Sequence, residues 1–148
     1  MKRAINVIFC IIYGLILVQI LFAYGRVRVW SDLSFQEYAV RTSNFIPFST
    51  IVNYITALKN HTMNVSIPIK NIGGNLVLFM PYAYFVYYFK HPNLKTFIIV
   101  SFGLLFMIEI MQLFLRVGTF DVDDIILNLM GAILIYVVLR KGNVSYIK

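Results

Sequence analysis

Residues 103–131 read GLLFMIEIMQLFLRVGTFDVDDIILNLMG, and this stretch decides the fold. Its first half is apolar enough to cross a bilayer, yet it carries Glu109 and Gln112 before it ends at Arg116. A short acidic loop follows, and a second apolar run begins at its carboxylates. An ionisable group inside a membrane span costs about 2.5–3.5 kcal/mol on insertion scales, so it faces the interior of a helix bundle as a rule. The pattern therefore predicts a helical hairpin that carries the functional centre.

The composition is that of a polytopic membrane protein rather than of a soluble domain. Of the 148 residues, 60% are hydrophobic and only 13% are charged. The formal charge of +7 comes from basic residues that flank apolar runs instead of forming a stripe, so membrane topology explains it and we expect no nucleic-acid partner. The single cysteine, Cys10, excludes an intramolecular disulfide and offers no zinc spacing. We also expect no cofactor and no bound metal.

Four apolar stretches predict an all-α membrane protein with four transmembrane helices in one domain, residues 1–148. A span needs about 20 apolar residues. The first stretch is longer than the apolar region of a cleavable signal peptide, so we interpret it as a retained anchor. The fourth is extended back to Asp123 or Asp124, because carboxylates are favourable at a helix N-terminus. The predicted spans cover approximately residues 4–25, 71–89, 96–115 and 123–139.

The second span contains residues that modify a helix. Pro81 predicts a kink near its middle, because proline lacks an N–H and clashes with the preceding turn. Gly73 and Gly74 predict a close approach to a neighbouring helix.

Residues 26–70 form the longest segment between spans, and the sequence predicts that it is partly helical. Asn44 favours a side-chain-capped bend, and Pro47 disfavours helix just before it. A helix is predicted from Ser49, whose hydroxyl is a suitable cap. Its apolar stripe, which includes Tyr54, would lie on the bilayer surface or cover the bundle.

The distribution of charge predicts that both termini are cytoplasmic. With four spans, the termini and the middle loop share one side, and that side carries cations without acids: Lys2, Arg3, Lys90, Lys95, Arg140, Lys141 and Lys148. The other side carries both signs of charge. Its six cations are Arg26, Arg28, Arg41, Lys59, Lys70 and Arg116, and its five acids are Asp32, Glu37, Asp121, Asp123 and Asp124. Because positive flanks stay in the cytoplasm, the topology is N-in and C-in, and the segment 26–70 lies at the outer face.

Three polar stripes converge in the outer half of this predicted bundle. Glu109, Gln112 and Arg116 are spaced i, i+3, i+7, so they share one helix face, as do Asn71 with Asn75 and Asp124 with Asn128 and Gly131. One interpretation is structural: Glu109 pairs with Arg116, Arg41 or an asparagine, and the acids cap a helix. The other is functional: the stripes line a pocket that opens to the outer leaflet.

An ordered set of motifs extends from about residue 41 to residue 131. They are Arg41…Asn44…Pro47-Phe48, Gly74-Asn75…Phe79…Pro81, Glu109…Gln112…Arg116…Asp121…Asp124 and Asn128…Gly131. In this set the sequence resembles the VanZ-like family of bacterial integral membrane proteins. It departs from the family after Pro81, where Tyr82-Ala83 stands in place of a frequent small residue. The resemblance implies a multi-pass protein of the bacterial cell membrane, and the family's namesake is associated with low-level resistance to teicoplanin, a lipid-bearing glycopeptide antibiotic.

The first functional hypothesis is a binder of an amphiphile such as a lipoglycopeptide or a cell-wall lipid precursor. The polar part would occupy the outer pocket while the helices in the lipid bilayer accept the acyl chain, and basic side chains would pair with phosphate or carboxylate groups. The predicted ligand-binding residues are Arg41, Asn44, Asn75, Glu109, Gln112, Arg116, Asp121, Asp124 and Asn128.

Two other classes of function remain open at this point. An envelope-facing hydrolase or transferase acting on a lipid-linked substrate would use Glu109 as its candidate catalytic acid or base. The acids of the DVDD motif offer oxygen ligands to a divalent cation, but they lack the spacing of a calcium-binding loop. A transporter would need an acidic pathway that continues to the cytoplasmic side, and the sequence shows none.

Overall fold

Residues 2–23 and 32–142 are described in this computed structural model, and within them the secondary structure is entirely α-helical apart from one isolated bridge. This confirms the all-α prediction. The predicted end of the first span, the outer residues 26–31 and Lys148 lie outside the described residues. The helices are α1 (Lys2–Phe22), α2 (Phe35–Thr42), α3 (Ser49–Lys59), α4 (Ser66–Leu78), α5 (Met80–Lys90), α6 (Leu94–Phe114) and α7 (Val122–Lys141).

Three of these helices, α1, α6 and α7, are individually long and apolar enough to cross a membrane. The fourth predicted span, 71–89, is not a single helix. It is divided between α4 and α5, and α4 begins at Ser66, ahead of the predicted start. The segment before it is partly helical, as predicted, because it contains α2 and α3.

The division between α4 and α5 lies at Phe79, two residues before Pro81. Pro81 stands in the first turn of α5, where its missing N–H is tolerated. The backbone leaves helical geometry at Phe79, with φ −99° and ψ 6°. The Tyr13 hydroxyl of α1 donates to the Leu78 carbonyl at 2.9 Å, so a carbonyl beside the break has a partner. The predicted interruption of the helix is confirmed. The hydroxyl of a tyrosine on another helix satisfies a backbone carbonyl beside it.

The pair α4–α5 runs parallel to α7 along most of its length. Near the start of α7, Asn75 donates to the Asp124 carboxylate. Farther along, the ring of Tyr87 on α5 meets the ring of Tyr136 on α7 edge-on, with centroids 5.4 Å apart. α4 therefore packs on the first half of α7, and α5 on the second half.

The helices α6 and α1 run in the opposite direction to α7 and α4–α5. Phe97, at the start of α6, stacks on Tyr136 with centroids 4.0 Å apart. The Tyr84 hydroxyl of α5 donates to Asn6 on α1 at 3.0 Å, whereas Gln112 at the far end of α6 donates to Leu21 at the end of α1. We call the end of the bundle that holds Gln112 and the start of α7 the polar end. The opposite end carries the cations of the α5–α6 connection and the end of α7.

The surface of α1 is apolar and largely exposed, with only Leu21 buried. The buried core lies instead between α5, α6 and α7, where Phe97, Ala83 and Tyr136 are almost wholly enclosed. An exposed apolar helix surface is costly in water and is the surface that a bilayer covers. The packing is therefore that of membrane helices.

At Gly131, α7 approaches the backbone of α4 closely. A Cβ added there would be 1.7 Å from the backbone oxygen of Leu76 on α4. At Gly73 and Gly74 an added Cβ would have no neighbour within 4 Å, so the prediction that these two glycines permit close approach is wrong. The close contact depends on a glycine of α7 rather than on those of α4.

We expect Gly131→Ala to destabilise the protein, because its methyl group overlaps a backbone atom that cannot move without separating two helices. Overpacking of this kind costs about 1–3 kcal/mol. The measurement is the midpoint of thermal unfolding in detergent. The matched control is Gly73→Ala on the facing helix, which adds the same methyl group in open space. Equal midpoints for the two variants would contradict the close approach.

Candidate functional site

The turn after α6 directs the acidic loop back toward the bundle. Arg116 adopts the left-handed conformation, with φ 53°. Its N–H donates to the Leu113 carbonyl at 3.1 Å, and the N–H of Val117 donates to the Gln112 carbonyl at 3.0 Å. This is a Schellman motif, with arginine at the position where glycine is usual. It satisfies the last carbonyls of α6 and sets the course of the loop toward Asp121.

Asp121 joins the loop to the segment before α3. Its backbone lies beside that of Asn44 in the isolated parallel bridge. Its carboxylate accepts from the Asn44 amide at 2.9 Å and from the Thr50 hydroxyl at 2.7 Å. It also accepts from the N–H of Asp123 at 2.8 Å, so it is the N-cap of α7. One side chain thus fixes the start of α7 and the approach to α3.

Asp123 caps α3 from a distance of more than 70 residues in sequence. Its carboxylate accepts from the N–H of Phe48, from that of Thr50 at 2.9 Å and from that of Ile51 at 3.4 Å. The side chain is only 1% exposed. The predicted cap by the Ser49 hydroxyl is wrong: the N-cap residue is Phe48, which makes no side-chain cap. The carboxylate of Asp123 on α7 caps the helix instead. Its negative charge interacts favourably with the positive end of the α3 dipole.

Asn44 organises the bend before α3. Its side-chain oxygen accepts from the N–H of Ile46 at 3.1 Å and from the Ser49 hydroxyl at 2.6 Å. The predicted side-chain-capped bend is therefore confirmed. We call Asn44, Thr50, Asp121, Asp123 and Glu109, which joins them from α6, the junction cluster.

Glu109 is the member of the junction cluster that comes from α6, and it is 6% exposed. Its carboxylate accepts from the backbone N–H of Asp121 at 3.1 Å. The other two members of its helix stripe point to different partners. Gln112 donates to the Leu21 carbonyl at 2.9 Å, and Arg116 donates to the Leu33 carbonyl at 2.9 Å while its guanidinium lies 5.4 Å from the centre of the Tyr38 ring. Gln112 therefore links α6 to the end of α1, and Arg116 links the turn after α6 to the residues just before α2.

A second group of polar side chains, which we call the amide cluster, lies between α4 and α7. The Asn75 amide donates to the Asp124 carboxylate. The Asn128 amide donates to the Asn75 side-chain oxygen at 3.4 Å and to the Asp124 backbone carbonyl at 2.7 Å. Asn75 and Asp124 are half-buried, whereas Asn128 is 5% exposed. Oδ1 of Asn128 is buried and has no hydrogen-bond partner, and the same holds for Oδ1 of Asn71, which lies one turn before Asn75 on α4.

The phenol of Tyr54 on α3 interacts electrostatically with Asp121 of the junction cluster and with Asp124 of the amide cluster. Burial raises the pKa of its phenol, and the carboxylates of Asp124 and Asp121 raise it further. The phenol is therefore neutral at physiological pH and has a proton to donate. The sequence placed Tyr54 on an apolar stripe, and only the packing of α3 against α7 shows its position near the acids.

The structure thus divides the predicted site residues. Asn44, Glu109 and Asp121 belong to the junction cluster, and Asn75, Asp124 and Asn128 to the amide cluster, while Gln112 and Arg116 contact neighbouring segments. Arg41 lies exposed in the last turn of α2, and none of the hydrogen bonds above involves it. Sequence reasoning missed Asp123 and Thr50 as members of the site, because nothing local indicates a cap for a helix so distant in sequence. Within residues 2–23 and 32–142, no three His, Cys, Asp or Glu side chains are grouped to hold a metal ion.

Comparison with known proteins gives one informative match. A family model described as VanZ/LLP1 matches residues 9–144. No curated protein and no solved structure gives a significant match. The matched range contains both clusters and the elements that position them.

We expect Asp123→Ala to loosen the start of α3, because three backbone N–H groups lose their acceptor. Loss of a helix cap costs about 1–2 kcal/mol, or roughly tenfold in the local opening equilibrium. Hydrogen–deuterium exchange at Thr50 and Ile51 measures it directly.

The matched control is Glu37→Ala, which removes the exposed capping box that Glu37 forms with Ser34 on α2. Those hydrogen bonds from Ser34 hold the pKa of Glu37 below its usual range. This control should speed exchange at the start of α2 and leave α3 unchanged. Unchanged exchange at α3 in Asp123→Ala would refute the long-range cap.

Proposed function

The chain belongs to the VanZ/LLP1 family, and from this membership together with the amide cluster we propose a function in the bacterial envelope. In this proposal the protein binds the polar part of an amphiphile at the outer face of the cell membrane and thereby lowers susceptibility to teicoplanin. The observation that carries the proposal is a group of half-buried and buried polar side chains, with unused hydrogen-bonding capacity, between helices whose other sides are apolar.

The proposal includes four membrane crossings. α4 and α5 are 13 and 11 residues long and are separated by Phe79 alone. Together they would measure about 37 Å at 1.5 Å per residue, enough to cross a bilayer. They also follow α7, itself long enough to span, from its first turn to Tyr136. A broken helix that packs along a spanning helix supports a fourth crossing.

The polar end is assigned to the outer face. The opposite end carries Lys90 and Lys95 at the α5–α6 connection and Arg140 and Lys141 in the last turn of α7. Cations in short flanks remain cytoplasmic. With Lys2 at the start of α1, this distribution supports the N-in and C-in orientation.

The two clusters have different roles in this proposal. The carboxylates of Asp121 and Asp123 already accept several hydrogen bonds each, and Glu109 accepts from the loop backbone. We assign them to holding α3 beside the site. The amide cluster contacts the ligand, and the exposed Arg41 pairs with its phosphate or carboxylate groups. The placement of Glu109 beneath the loop supports a positioning role rather than the catalytic role that an envelope enzyme would require.

An apolar surface for the acyl chain is available next to the site. On α3, Val52 and Ile55 are exposed on either side of the half-buried Tyr54. Phe48, just before this helix, is exposed as well. A ligand whose polar part meets the amide cluster would bring its chain against these residues, where burial of apolar area contributes about 25 cal/mol per Å².

The test is teicoplanin susceptibility of a sensitive Gram-positive host that expresses the wild type or Asp124→Asn at matched membrane levels. We expect the wild type to raise tolerance to teicoplanin and not to vancomycin. Asp124→Asn should remove this effect, because losing a charged hydrogen bond weakens binding by about tenfold or more. Glu37→Gln, which changes an exposed carboxylate on α2, is the matched control and should behave as the wild type. If cells that express the wild-type protein were as susceptible to teicoplanin as the host without it, the resistance role would be rejected.

A further inference from the structure

A groove lies between α5 and α6 at the end of the bundle opposite the polar end, which we call the cationic end. Both helices pack against α7 rather than against each other, so a space of about 280 Å³ remains between them. Pockets for small ligands generally measure about 300–1,000 Å³, so this space suits a narrow occupant. Its lining includes Tyr82, Val86 and Lys90 of α5 and Thr96, Phe97 and Val100 of α6.

The groove is polar at one end and apolar along its length. Tyr82, Val86 and Lys90 are spaced four residues apart, so they share one face of α5, and the groove follows that face for about 12 Å at 1.5 Å per residue. Lys90, the last residue of α5, is exposed. Phe97 is almost wholly enclosed, and its ring stacks on that of Tyr82 with centroids 6.1 Å apart. The groove thus runs from an ammonium at the end of the bundle to aromatic rings nearer its middle.

The polar atoms inside the groove already have partners in the protein. The Tyr82 hydroxyl accepts from the Ser101 hydroxyl at 3.3 Å. Pro92, in the α5–α6 connection, also lines the groove, and its carbonyl accepts from the Tyr136 hydroxyl. The interior therefore offers apolar surface to an occupant, and the charge that it offers is that of Lys90.

The cationic end has no acidic residue of its own in the sequence. No acid occurs between Glu37 and Glu109, and none follows Asp124. The basic residues of the α5–α6 connection and of the end of α7 are Lys90, Lys95, Arg140 and Lys141. A Lys or Arg near an anionic membrane surface strengthens association by about fivefold. The charge at this end therefore favours an occupant with a negative group beside the groove.

We propose that the groove binds an anionic phospholipid from the leaflet at the cationic end, with one acyl chain along the groove and the phosphate at Lys90. A phospholipid presents the same order of chemistry, because its phosphate lies at the membrane surface and its chain extends toward the bilayer centre. The three donors of the ammonium match the phosphate oxygens. This site goes beyond the proposed function, since it lies at the opposite end of the bundle from the amide cluster and does not depend on a role in resistance.

The experiment is calorimetric titration of the purified full-length protein in detergent. The ligands are a short-chain phosphatidylglycerol, a phosphatidylcholine with the same chains, and glycerophosphate without chains. We expect phosphatidylglycerol to bind at least about fivefold more tightly than phosphatidylcholine, because only the former has a net negative charge. Glycerophosphate should bind more weakly than phosphatidylglycerol, because it leaves the groove empty. These comparisons use the wild-type protein, so they do not depend on the folding of any variant.

Variants locate the site. Lys90→Gln should weaken binding of phosphatidylglycerol about fivefold and leave that of phosphatidylcholine unchanged. Its matched control is Lys59→Gln, which removes an exposed cation from the last turn of α3 and should bind as the wild type. Val86→Trp fills the groove and should weaken binding of both lipids. Its control is Val18→Trp on the exposed surface of α1, with unfolding midpoints measured for both tryptophan variants.

The outcomes separate this site from the amide cluster. Equal affinity for the two lipids would overturn the inference, and so would an equal loss in Lys90→Gln and Lys59→Gln, since binding would then follow overall charge. Glycerophosphate binding as tightly as phosphatidylglycerol would overturn it as well, as would unchanged lipid affinity in a folded Val86→Trp. Asp124→Asn should keep the preference for phosphatidylglycerol. If Asp124→Asn abolished that preference and Lys90→Gln did not, the lipid would bind at the amide cluster, and the proposed amphiphile site would stand without this one.

Discussion

The rest of the polar end depends on one constraint: the backbone N–H groups at the start of α3 have no acceptor within their own helix and need one from elsewhere in the chain. Asp123 supplies these from α7, and Asp121 secures the adjacent strand-like contact with Asn44. The Asp123 side chain is only 1% exposed, so these hydrogen bonds also offset the cost of burying its carboxylate. The acidic loop is therefore a structural element first. Its charge is compensated by helix N-terminal dipoles as well as by hydrogen bonds.

The sequence predicted those features that depend on local chemistry. Hydrophobic runs indicated the membrane helices, Pro81 the break, and Asn44 the bend. It could not predict which glycine permits close packing, because Gly73 and Gly131 differ only in what stands opposite them. It also could not predict the role of Asp123, because a cap that acts across more than 70 residues depends on tertiary packing rather than on neighbours in the chain.

The division of the polar residues into two clusters changes how the site is understood. The number of polar side chains in the outer half suggested a ligand pocket, yet the junction cluster uses most of its acceptors on the protein's own backbone and side chains. Among the described residues, buried side-chain oxygens without a hydrogen-bond partner occur at Asn128 in the amide cluster, at Asn71 on α4 and at Ser43 beside the junction cluster. Unpaired buried acceptors are rare in folded proteins. They are therefore a more specific indication of ligand chemistry than the number of charged residues.

Packing and recognition are linked at the α4–α7 contact. Leu76, whose carbonyl lies against Gly131, is the direct neighbour of Asn75, which bridges Asp124 and Asn128. The absence of a side chain at Gly131 thus sets the distance across which the amides meet. A wider separation would break the link between Asn75 and Asn128, and the Asn128 amide would lose the neighbour that helps to fix its direction. The chemistry offered to a ligand therefore depends on backbone proximity between two helices as much as on the polar residues themselves.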